Sequence, residues 1–167
     1  MAETLDSWPA GATWVFQGSV AEDATAGTHV CTLTVTPGAG NEMQVLYGRI
    51  LEGNTATAQL PIARITDGTN LLADFINGIV DTSANIGRSF PSLVAPANNA
   101  NQFVGTVMQS NLMVSGTQVL LLQVSTAAVS VTQTFAVVAR IKGEKPTAVL
   151  NDTIGTSTNT VNTNHTF

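Results

Sequence analysis

A chain of 167 residues with a formal net charge of −5 is long enough for one self-sufficient core and needs no disulfide to hold it. Its six cations, Arg49, Arg64, Arg88, Arg140, Lys142 and Lys145, lack the clustering that nucleic-acid binding requires, and no apolar run approaches the roughly 18 residues of a membrane helix. Only 10% of residues are charged, against roughly 25% in an ordinary soluble domain, so charge does not cover the surface and about two dozen threonines, with Asn, Ser, Gln and Gly, must do so.

The chain opens on MAETLDSWPAGATW, which carries acids and two tryptophans but no basic stretch followed by an apolar run. No secretory leader is expected from that pattern. Residues 1–12 read as an N-terminal arm and residues 13–20 as the first strand. Cys31, Leu33 and Val35 then alternate with Thr32, Thr34 and Thr36, the turn PGAGNE intervenes, and Met43, Val45 and Tyr47 resume the period of two. In that turn Pro37 stops one strand and Gly38 and Gly40 let the chain bend into the next. A phosphate cradle would need a lysine, a hydroxyl residue and a following helix, all of which are missing.

Further strands are expected at residues 55–64, 89–94 and 103–108. One segment breaks the pattern. Leu71, Leu72, Phe75, Ile76, Ile79 and Val80 recur at helical intervals behind Asp67, Gly68 and Thr69, which predicts a short helix over 70–80. The alternative is a hairpin turning at Asn77-Gly78, because glycine costs a helix about 1 kcal/mol.

The run QVLLLQV, residues 118–124, is apolar enough for a strand covered on both faces. In 129–141, Val129, Val131, Phe135, Val137, Ala139 and Ile141 oppose Ser130, Thr132, Thr134, Val138 and Arg140, the signature of a long half-buried strand. The short link at 125–128 predicts that these two strands pair as an antiparallel hairpin. From Pro146 onward the composition shifts to Thr and Asn, with apolar residues too spread to form a core face, and residues 146–167 read as an extended C-terminal arm. Together the elements predict an all-β chain: one β-sandwich or jelly roll of about eight strands over 13–145, a short helix near 70–80, and extended arms at both ends.

No constellation carries chemistry. Asp67, Asp74 and Asp81 would share a helix face at about 10 Å spacing, too far apart to converge on one ion. Glu22 and Asp23 point in opposite directions in extended chain. His29 and Cys31 share a strand face about 7 Å apart, the nearest approach to a reactive pair, but lack a third orienting group. One cysteine with His29 and the distant His165 makes no zinc site. No catalytic, metal or cofactor residue is therefore expected, and Cys31 reads as a small buried hydrophobe. Trp8 and Trp14 flank Pro9 and Gly11; such rings can stack on sugars, but the plainer reading has Trp14 and Phe16 plugging the core and Trp8 anchoring the N-terminal segment.

Trp8 and Trp14 near the start, the strands in TVTPGAGNEMQVLYGRI, the many short Thr/Ala/Val strands and the polar C-terminal segment together resemble the decoration, or cement, proteins of tailed-bacteriophage capsids. The resemblance implies a non-enzymatic protein of the outer virion surface, made in the host cytoplasm, that forms dimers or trimers and bridges neighbouring major capsid subunits. Inter-subunit contacts are then expected from Trp8, Trp14, Val149, Leu150, Ile154, Val161 and Phe167. A phage tail or fibre component and a carbohydrate-binding β-sandwich are the alternatives. Neither nucleic acid nor membrane is expected as a partner.

Overall fold

The computed structural model describes residues 13–53, 55–77, 87–90 and 112–154, and the strand course of 158–166. Among them there is no helix. The strands are β1 (Thr13–Ala21), β2 (His29–Thr36), β3 (Gly38–Leu51), β4 (Gln59–Thr66), β5 (Leu71–Asn77), β6 (Gly87–Phe90), β7 (Leu112–Gly116), β8 (Val119–Thr126), β9 (Thr132–Lys142), β10 (Thr147–Asn151) and β11 (Thr158–Thr166). They form two antiparallel sheets, one ordered β11-β1-β9-β3-β6 with β7 also on β3, the other β10-β2-β8-β4-β5.

The period-two pattern sets the core between the sheets. Phe16, Val20, Met43, Ile50, Phe135 and Val137 point inward from the first sheet and Leu33, Val35, Leu120, Leu122 and Val124 from the second, all fully buried. Trp14 packs on this core beside Phe16, ring centroids 6.3 Å apart, with the Lys145 ammonium 5.8 Å from the Trp14 ring. Phe75 of β5 stacks on Phe90 of β6 at 5.1 Å and so joins the two sheets at their far edge.

Residues 71–77, expected as the greater part of a helix, form a strand paired with β4. The helical spacing has a local cause. The register jumps from Ala63↔Ile76 to Arg64↔Asp74 and from Ile65↔Ala73 to Thr66↔Leu71, so Phe75 and Leu72 are extra residues in two bulges. Each bulge offsets the alternation by one, which places Phe75 and Ile76 side by side in the core. The expected helix start at Asp67 is a turn, in which Asp67 Oδ1 accepts the N–H groups of Thr69 (2.9 Å) and Asn70 (2.6 Å). Bonds from the Asn70 side chain and these two backbone groups pull the Asp67 carboxyl down to about 2. Residues 78–86, which hold the alternative turn and Asp81, lie outside the described residues, as do 1–12 and the expected strand at 103–108.

The expected pairing of 118–124 with 129–141 is also different. β8 lies between β2 and β4, whereas β9 lies between β1 and β3 in the other sheet. The link between them is a corner that carries the chain across the sandwich, with Ser130 in the left-handed region at φ 57°. The glycine turn at Gly38 and Gly40 (φ 92° and 80°) is a corner of the same kind, since β2 and β3 belong to different sheets.

Residues 146–167, expected as an arm, supply an edge strand to each sheet. β10 pairs with β2 from Thr147↔Thr36 to Asn151↔Thr32, and β11 pairs with β1 along its length.

Candidate functional site

At one end of the sandwich, five polar side chains from separate elements are sealed between the sheets. His29 is the first residue of β2, Glu22 follows β1, Gln59 opens β4, Gln133 lies on β9 and Asp152 follows β10. Strand parity places three of them: His29 shares the inward face with Cys31 and Leu33, Gln59 shares it with Pro61 and Ala63, and Gln133 shares it with Phe135 and Val137.

His29 Nδ1 lies 2.6 Å from Asp152 Oδ2 and Nε2 lies 3.0 Å from the Thr25 carbonyl. A carbonyl only accepts, so Nε2 carries a proton and donates it; in the imidazolium form Nδ1 donates a second to the carboxylate. Burial works against that charge, but the Asp152 carboxylate, the Thr25 carbonyl and the Glu22 carboxyl outweigh it and hold His29 above its ordinary value.

Cys31 Sγ donates to Glu22 Oε1 at 3.2 Å, and Gln133 Nε2 donates to the same oxygen at 3.0 Å. Among the described residues Glu22 Oε2 has no hydrogen-bond partner. Burial raises the Glu22 carboxyl, against the lowering effect of these two bonds and of His29. Gln133 continues the chain of contacts. Its amide also donates to Gln59 Oε1 at 2.9 Å, its oxygen accepts the Gly53 N–H at 3.0 Å, and Gln59 Nε2 donates to the Gly53 carbonyl at 2.9 Å. Beside the cluster Arg88 Nε meets Glu52 Oε2 at 3.3 Å, both side chains inaccessible.

This cluster is built for cohesion. Burial and the neighbouring Glu22 carboxyl push the Cys31 thiol far up, leaving no thiolate. No hydrogen bond joins His29 to Cys31, since the thiol points at Glu22 and both ring nitrogens are engaged elsewhere. Among the described residues no group of His, Cys, Asp and Glu is arranged to hold a metal ion.

Of the residues expected at inter-subunit contacts, Val149 stands outward on β10 at 49% exposure, while Leu150 points into the core and Trp14 packs against it. Ile154 is half-buried against Gly27. Val161 lies on β11, and Trp8 and Phe167 lie outside the described residues. Val149 is joined on the outer face of its sheet by Val30 and Thr34 of β2, Val119 and Leu121 of β8, and Leu60 and Ile62 of β4. No layer of the described residues covers this face, on which these apolar side chains stand among threonines.

Sequence reasoning missed Glu22, Gln59, Gln133 and Asp152. The signal available was parity: Gln133 interrupts an otherwise apolar inward series. No protein-family model, no characterised protein and no solved structure matches the chain.

Proposed function

We propose that the protein is a non-enzymatic structural subunit that decorates the outside of a phage capsid, bridging neighbouring major capsid subunits through the outer face of its five-stranded sheet. The observation that carries the reading is that face. Leu60, Ile62, Leu121 and Val149 project from four-strand-wide pleated backbone with threonines between them, and the sheet's only cation among its outward positions on β2, β4, β8 and β10 is Arg64. Such a surface is easily desolvated by a partner and offers little chemistry.

Two further features support it. The strand orders β1-β9-β3-β6 and β2-β8-β4-β5 fit a jelly-roll winding with β7, β10 and β11 added at its edges, and jelly rolls recur among viral capsid domains. The His29, Cys31, Glu22 and Asp152 side chains, the nearest approach to a reactive group, are locked between the sheets. A shell repeats each contact many times, so a modest interface gains by avidity. Electron cryomicroscopy of shells assembled from the accompanying major capsid protein, with and without this chain, tests the reading. Added density on the outer surface is expected, and shells of identical appearance would refute it.

A further inference from the structure

The opposite face of the sandwich carries a different surface. On the outside of the six-stranded sheet, β9 runs between β1 and β3, and its register sets Ala136 opposite Gln17 on one side and Arg49 on the other; Thr134 is likewise flanked by Ser19 and Leu51. The small residues along β9 form a floor and the longer side chains of β1 and β3 form walls. The result is a trough of about 410 Å³.

Its lining is mixed in a particular way. Ser19 Oγ and Thr134 Oγ1 are bonded to one another at 3.0 Å, which fixes both hydroxyls while leaving acceptor sites and one proton to spare. Gln17 offers an exposed amide. Arg49 is exposed and, among the described residues, makes no ion pair or side-chain hydrogen bond. Its guanidinium rests above Gly87 of β6, where an added Cβ would approach Nη2 to 3.3 Å. Leu51 supplies one apolar wall.

We infer that this trough binds a carboxylate-bearing saccharide, a uronic or sialic acid residue. An unpaired guanidinium takes a carboxylate in two parallel hydrogen bonds. The amide and hydroxyls beside it suit a ligand that presents several hydroxyls, Leu51 and Ala136 suit the C–H face of its ring, and the volume accommodates one or two sugar rings. The site lies on the other side of the molecule from the surface assigned to capsid contact, so either assignment stands or falls without the other.

The test titrates the full chain, labelled with nitrogen-15, with digalacturonate and with N-acetylneuraminate, using neutral galactobiose and acetate as controls. Saturable shifts centred on Ser19, Thr134, Ala136 and the Arg49 side chain are expected with an acidic sugar, with weaker response to either control. Arg49→Gln should lower affinity about tenfold or more. Ala136→Leu, which fills the floor with an outward side chain, should abolish binding. Both variants should keep the dispersed spectrum of the folded chain. Absence of saturation with both acidic sugars, shifts that map elsewhere, equal binding of galactobiose or acetate, or unchanged affinity in Arg49→Gln would each overturn the inference.

Discussion

His29 Nδ1 lies 2.6 Å from Asp152 Oδ2 with both side chains sealed from solvent, so the start of β2 is tied to the residue that follows β10. An imidazolium held this way makes stability depend on pH. The folded pKa of His29 is raised, so the folded state holds the proton more tightly and its contribution is complete below about 6.5, the unfolded value. It is lost as pH rises through the folded value. Glu22, also raised, acts in the same direction from about 4.5 upward. Above about pH 4.5 the denaturation midpoint should therefore fall as pH rises, with the step above 6.5 absent in His29→Gln. Asp152→Asn should cost about 3–5 kcal/mol, because it leaves a buried charge without its partner.

Cys31 is fully buried, and its thiol is held protonated by burial and by Glu22. Iodoacetamide should leave the native chain unmodified and add one group to the chain in denaturant, read by intact mass. Rapid modification of the folded protein would contradict the inert role assigned to this residue.

Phe90 lies over Gly48, where any Cβ would run into the ring. Phe90→Ala removes a ring that joins the sheets through Phe75 and should cost about 3–5 kcal/mol. Gly48→Ala should cost about 1–3 kcal/mol through overpacking. The double variant should lose less than the sum, since removing the ring removes the clash, and denaturant unfolding of the four proteins measures that coupling.

Much of the fold was legible because inward residues on β2, β8 and β9 keep a strict period of two. Where the pattern failed, a local cause can be named. The bulges at Leu72 and Phe75 offset the alternation and imitate a helix, and nothing in the sequence marks a bulge. The short link at 125–128 predicts a hairpin, yet a sandwich also uses short links as corners, and here the link carries β8 and β9 into different sheets. The cluster was less legible still. Asp152 meets His29 across 123 residues, and such a pairing follows from topology that local spacing does not encode.

Residues 146–167 close the open edges of both sheets through β10 and β11. Removing them also removes Asp152. The shortened chain should lose cooperative unfolding or aggregate through the freed edges of β1 and β2, seen by thermal scanning and light scattering. A truncated chain that unfolds like the full one would contradict the edge-strand role.

The central claim is that the outer face carrying Leu60, Ile62, Leu121 and Val149 binds a capsid surface. Co-sedimentation of the full chain with assembled shells of the major capsid protein measures it most directly, comparing the natural chain with Leu121→Lys at equal folded content. The account predicts saturable binding of the natural chain and loss of binding in the variant. A natural chain that remains in the supernatant, or a variant that binds equally well, would contradict it.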